Sequence, residues 1–286
     1  MSFNTKIRVL ILRVLRTFNC KLGYKNTQRL KSLFCDAFDL KNEETVEIKS
    51  MYGVIIFFVV NELTRWRINS FYEKEPETIK WINDFNEKEV LWDIGANIGI
   101  YSIYAAKKGL DVLSFEPESA NYRILNKNIR LNSLQNKMSA FCIAFNKNYS
   151  IGKLQMTMLD EGGSMSTFKN LDIVGSQDKE DTEVKFEQGM IGMSIDEFIS
   201  RLSPKFPNYI KIDVDGNELS IIEGAGKTLK DKRLKGLSIE LDSSDGDKDI
   251  IRIMESCGFL YEKKQNSDMF RNTKFSNIYN YHFIRS

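Results

Sequence analysis

The chain has 286 residues, of which 42% are hydrophobic and 28% charged. This composition excludes disorder and collagen-like repeats and suits one or two compact domains. At this length roughly 70–75% of the unfolded chain's surface can be buried, so the core needs no disulfide or structural metal. Forty-one basic against 39 acidic residues leave a net charge of +2, which is too balanced to argue for nucleic acid by itself.

Residues 1–35 hold eight Lys or Arg and no acid, and Ile7, Leu10, Ile11, Val14, Leu15 and Phe18 recur at helical spacing. The pattern predicts a basic amphipathic helix that either lies on an anionic membrane surface or packs on the body or on a second subunit, making a homo-oligomer. Arg8, Arg13 and Arg16 interrupt its apolar run, which is neither a membrane span nor a signal-peptide core. The four cysteines, Cys20, Cys35, Cys142 and Cys257, are too scattered for a zinc site or a disulfide framework and read as thiols in a reducing cytoplasm. Val54–Val60 and Leu63–Ile68, separated by Asn61 and Glu62, read as a β-hairpin, and a helix follows at 75–85 with Pro76 in its first turn. These elements make up an N-terminal extension over 1–86.

From Val90 to the end, apolar runs alternate with helical periods. They predict an α/β, Rossmann-like domain over 87–286: a seven-stranded, mostly parallel sheet with helices on both faces. Strands are expected at 90–94, 111–116, 138–143, 209–214, 236–241, 259–264 and 278–285, with helices near 98–108, 118–131, 217–230 and 247–257. The segment 150–190, with Gly162 and Gly163 in it, breaks the alternation and reads as an inserted lid. Lys153–Leu159 and Glu183–Phe186 are its expected strands.

The first of these strands runs into Asp93, Ile94, Gly95, Ala96, Asn97, Ile98 and Gly99 and then a helix. A strand, a tight turn of small residues and a helix N-terminus bring backbone amides close to a ligand. Asn97 stands where a dinucleotide site would carry a second glycine for the pyrophosphate, and Asp93 suits an ammonium. The motif therefore favours S-adenosylmethionine over NAD. Glu116 follows the second strand 23 residues after Asp93, where an acid accepts hydrogen bonds from ribose hydroxyls.

Three stretches, 93–102, 115–125 with Asn128, and 210–218 with 223–225, together make the chain similar to the FkbM-type methyltransferases, a branch of the Rossmann-like S-adenosylmethionine enzymes. Asp215 and Asn217 depart from the family's more usual Glu and Ala. The resemblance implies O-methyl transfer to a hydroxyl of a sugar, glycolipid or other small natural product. It also implies a cofactor site that includes Asp93, Gly95, Ala96, Asn97, Gly99, Glu116, Pro117, Asn121 and Ala144.

The strand ends at Lys211–Glu218 and Glu240–Asp242 bring carboxylates to the same sheet edge. Asp213, supported by Glu240, is the expected catalytic base. Asp213, Glu240 or Asp242 could instead serve as hard oxygen ligands to Mg²⁺ or Ca²⁺, or the acids could form a network neutralised by Lys211. The sole histidine, His282, falls in the terminal strand and reads as structural. Neither Tyr-x-x-x-Lys pair, Tyr104/Lys108 or Tyr149/Lys153, is placed for a short-chain dehydrogenase. The rival functions are an RNA ribose methyltransferase and a non-catalytic scaffold of the same fold.

Overall fold

The computed structural model describes residues 44–171, 183–243, 247–265, 273 and 276–286. The basic segment 1–35 lies outside the described residues, as do Cys20 and Cys35. Residues 45–286 form one compact unit.

The chain order is β1 (Thr45–Ser50), β2 (Gly53–Phe58), α1 (Glu62–Asn69), α2 (Pro76–Asn83), β3 (Val90–Ile94), α3 (Ile100–Lys108), β4 (Asp111–Phe115), α4 (Ser119–Leu131) and β5 (Met138–Phe141). Then come β6 (Ala144–Phe145), β7 (Ser150–Met156), β8 (Ser166–Asn170), β9 (Phe186–Met193) and α5 (Ile195–Leu202). The last part is β10 (Tyr209–Ile212), α6 (Glu218–Glu223), β11 (Gly236–Asp242), α7 (Asp247–Ser256), β12 (Phe259–Gln265) and β13 (Ile278–Arg285).

The main sheet has seven strands in the order β12-β13-β11-β10-β3-β4-β5. The ladders from β11 through β5 are parallel, and β13 runs antiparallel between β11 and β12. The expected α/β architecture and all seven strands are present. The order reverses between β3 and β10, so a crevice opens beyond their carboxyl ends.

The alternation along each strand divides the core. Trp92, Ile94, Ile210, Ile212 and Ile239 face one side with Phe198 and Ile222, whereas Leu91 and Val112 face the other with Ile82 and Tyr104. Each such side chain contributes ~1.5–3 kcal/mol on full burial. Phe57 and Ile68, from the segment read as an extension, lie in this second cluster, so 45–86 shares a core with the sheet. On that second face a polar row crosses five strands in register: Ser114, Asp93, Lys211, Ser238 and His282. All five are buried.

Two local expectations are corrected. The hairpin turns at Met51–Tyr52, and Leu63–Ile68 belongs to a helix. Asn61 accepts from the Thr64 amide at 2.8 Å while the Thr64 hydroxyl accepts from the Asn61 amide at 3.1 Å. This reciprocal cap, with Thr64 and Ile68 buried four residues apart, outweighs the β-branched and aromatic composition. In the insert, the strands are Ser150–Met156 and Phe186–Met193 rather than 153–159 and 183–186. β6 and β8 complete a small sheet ordered β6-β9-β7-β8.

Candidate active site

The turn after β3 is shaped by a close backbone approach. Gly95 has φ +86°, and a Cβ there would lie 1.8 Å from the carbonyl oxygen of Asp213. Only glycine lets β3 and β10 remain that near at their ends. Asn97 also takes a left-handed conformation, φ 50°, and its side chain donates to Gly163 O at 2.7 Å. Glu116 closes the other wall: its Oε2 accepts from the Asn97 amide at 2.7 Å and its Oε1 from the Glu118 amide at 2.9 Å. Burial pushes the Glu116 carboxyl up to about 8, partly opposed by those two amide bonds.

Gly95, Asn97, Glu116, Pro117, Asn121 and Ala144 all line one cavity of about 430 Å³, as do Asp213 and Glu240. Asp93, Ala96 and Gly99 do not line it. Asp93 points to the opposite sheet face from its neighbour Ile94. There it is 2% exposed and accepts from the Ser102 hydroxyl at 2.5 Å, so the expected meeting with an ammonium is not what its position provides. Burial raises the Asp93 carboxyl despite Lys211 and the Ser102 bond. Ala96 packs in the core, and Gly99, at φ +88°, starts α3.

The insert roofs the cavity. Asn121 accepts from the Gly162 amide at 2.6 Å and donates to Gly163 O at 3.1 Å. Asp215, whose role the sequence leaves open, receives the Met165 and Ser166 amides on Oδ2, the latter at 3.1 Å. Gly163 through Ser166 thereby line the cavity beside β10.

Beneath the roof lies a charged cluster that sequence spacing reveals only in part. Lys211, 1% exposed, reaches Asp213 at 2.5 Å and Glu75 at 3.5 Å. Lys74 pairs with Glu75 at 3.0 Å. The carboxyl oxygens of Glu75, Asp213 and Glu240 lie within 4.8 Å of one another. Burial works against ionising Asp213, but Lys211 and Lys74 override it and hold this carboxyl far below the usual range. Burial and the Asp213 charge push Glu240 well above its ordinary value, and Glu240 hydrogen-bonds Asp213. Of the acids named for a cation, Asp213 and Glu240 meet here, while Asp242 is exposed at the end of β11. Glu75 takes its place among acids whose charge two ammonium groups already offset. His282 is fully buried, and burial lowers it to about 4, which fits a neutral structural ring.

Sequence reasoning missed Lys74 and Glu75, which precede α2, and the α1 residues Trp66 and Arg67 on the cavity wall. The only local signal was an adjacent Lys-Glu pair before Pro76.

A parallel sheet with a glycine turn, an acid after the second strand and a roofed crevice at the switch point defines a Rossmann-like methyltransferase. The Methyltransferase FkbM domain matches residues 93–261, and the chain belongs to that family. It is a methyltransferase, and its cofactor is S-adenosylmethionine. The hexuronic acid methyltransferase AglP of Haloferax volcanii is 22% identical over 223 residues, 77% of this chain and 85% of that one. The methyltransferase sdnD of Sordaria araneosa is 28% identical over 156 residues, covering 46% of this chain and 58% of its own length. Magnesium protoporphyrin IX methyltransferase from Synechocystis PCC 6803, solved with bound SAM, superposes with a TM-score of 0.44 at 13% identity, covering 80% of this chain and 86% of that one. No described helix is long and apolar enough to cross a membrane.

Proposed function

We propose that the chain transfers the methyl group of S-adenosylmethionine to a hydroxyl of a sugar or other small hydroxylated molecule. The observation that carries this reading is that Glu116, the Gly95 turn and the Asp213–Glu240 pair all line one cavity. The residues fit the cofactor. Glu116 is a buried acid with no ion-pair partner among the described residues, and each of its oxygens accepts one amide and keeps room for a ribose hydroxyl. Phe115, Ile143 and Ala144 give apolar walls for a purine, and the carbohydrate named for AglP supports a sugar acceptor.

The bound cofactor supplies an electrophilic methyl group. The chain's part is to align an acceptor oxygen with it and exclude water, and proximity of this kind accounts for much of a rate. Asp213 accepts the acceptor's O–H and fixes the oxygen's direction, while Lys211 keeps Asp213 ionised. A carboxylate held this low takes a proton late, once the oxygen has become strongly acidic by forming its new bond. Glu240, retaining its own proton, keeps Asp213 from turning away. The insert over Gly163–Ser166 serves as the lid of this pocket.

Mass spectrometry of glycans and lipids from cells with and without the protein tests the acceptor class. Loss of a single methyl increment from a carbohydrate is expected. Unchanged glycans and lipids, with a changed RNA ribose, would transfer the reading to nucleic acid.

A further inference from the structure

We infer that Asn97 is a positioning residue that ties the roof of the cavity to the cofactor wall: a cofactor held at Glu116 fixes the Asn97 peptide, and the Asn97 side chain fixes Gly163. The roof that completes the acceptor pocket is thereby steadied by the cofactor, which is favoured to bind first. This rests on the assignment of Glu116 to the cofactor and goes beyond it.

Each link is a hydrogen bond. The Asn97 backbone amide donates to Glu116 Oε2 at 2.7 Å, and its side-chain amide donates to Gly163 O, also at 2.7 Å. Its Oδ1 accepts from the Ile98 amide at 3.0 Å, which sets the direction of the side chain. The glycine of a dinucleotide turn at this position has no side chain to reach the roof. Asparagine enters the left-handed region, here at φ 50°, more readily than most residues, so it adds that reach at small backbone cost.

The roof is built to receive it. Gly163 O accepts a second bond from Asn121 at 3.1 Å, the Gly162 amide donates to Asn121 at 2.6 Å, and Gly162 O accepts from Arg67 Nε. A Cβ on Gly162 would lie 2.8 Å from Thr64 Cγ2, so this stretch is pressed onto α1. Asp215, whose carboxylate is favoured by the Arg67 charge, holds the Met165 and Ser166 amides. Of these clamping residues, Asn97 alone hydrogen-bonds Glu116 among the described contacts. Burial pushes Glu116 up to about 8, so its acid form competes with the carboxylate near neutrality. Ribose hydroxyls favour the carboxylate, which takes the Asn97 amide in a stronger, charge-assisted bond. That difference is what lets occupancy be felt at the roof.

Hydrogen exchange over 160–166, with β9 as internal reference, tests this in the wild type and Asn97→Gly, with and without saturating S-adenosylhomocysteine. Glycine keeps the left-handed turn and the amide facing Glu116 and removes only the reach to Gly163. In the wild type the ligand should slow exchange of the roof about fivefold or more and leave β9 unchanged. In Asn97→Gly the slowing should fall below about twofold, and the ligand should bind more weakly by a comparable factor, because coupling is reciprocal. Asn97→Asp, which keeps the contact to Ile98 and turns an acceptor toward Gly163 O, should lose the slowing too. Equal slowing in the wild type and Asn97→Gly, or none in the saturated wild type, would overturn the inference. Glu116→Ala separates it from the reading beneath it. Wild-type affinity in that variant removes Glu116 from the cofactor site. Weakened binding with the roof still slowed at saturation keeps Glu116 there and breaks the link through Asn97.

Discussion

Replacing Lys211 with Met keeps a long unbranched side chain and removes the one cation placed between Asp213 and Glu75. The structure allows the magnitude to be worked out. At an effective dielectric of about 20, the 2.5 Å contact with Asp213 is worth roughly 7 kcal/mol of gross attraction and the 3.5 Å contact with Glu75 roughly 5. Desolvation of the three ions takes back several kcal/mol per group, so the intact cluster contributes little net stability. Removing the cation alone is different, because Lys74 is then left to offset both Glu75 and Asp213, which costs about 3–5 kcal/mol. The loss should also depend on pH. In the native protein Lys211 holds Asp213 low, so that carboxylate contributes stability above its unfolded pKa and loses it only in strong acid. In the variant both acids rise above their unfolded values, and the folded state then binds more protons than the unfolded one. Stability therefore falls as pH rises, and the deficit at pH 5 should be smaller than at pH 7.5. Urea denaturation at the two pH values reads both effects. A deficit below ~1 kcal/mol, or one equal at both pH values, would refute the buried-cluster reasoning.

Gly95→Ala combines a left-handed φ, costing ~1–2 kcal/mol, with a Cβ driven into the Asp213 carbonyl, so thermal unfolding should show a loss of more than ~2 kcal/mol. Gly99→Ala meets only the flexible end of Leu125 and should cost less; equal losses would remove the close-approach argument. Because burial puts Glu116 at about 8 and the ribose contact needs its carboxylate, cofactor affinity should weaken as pH drops below 8, by up to about tenfold per unit. Glu116→Gln should flatten that contribution, and calorimetry from pH 6 to 9 would expose a wrong assignment as two parallel profiles. Asp213→Asn should lower turnover at least about a hundredfold with cofactor affinity nearly unchanged, and single-turnover methyl transfer measures it; lost cofactor binding would give Asp213 a different role.

The sheet was legible because its strands are short apolar runs with helical periods between them, a pattern set by burial on both faces. Glu116 was legible for a related reason: a strand of fixed length delivers its last residue to a known edge. The faces were harder to read. Asp93 lies one residue before the end of β3, and alternation turns it away from the cavity and toward Ser102. Leu63–Ile68 misled because its composition favours strands, while the decisive signal was the Asn61–Thr64 cap. Glu75 was out of reach, since its partner Lys211 lies more than a hundred residues away, and Lys74 joins the cluster only through Glu75. The insert's anchors were not legible, since Asn97 and Asp215 sit on separate loops and Asn121 on α4, with no common spacing.

The central claim is that the crevice between β3 and β4 on one side and β10 on the other holds S-adenosylmethionine through Glu116. Calorimetric titration of S-adenosylhomocysteine into the wild-type protein and Glu116→Ala tests it most directly. Saturable one-to-one binding by the wild type, weakened by about 2–4 kcal/mol in the variant, is the expected result. Equal affinity in the two proteins, or tighter binding of NADH than of S-adenosylhomocysteine, would contradict the account.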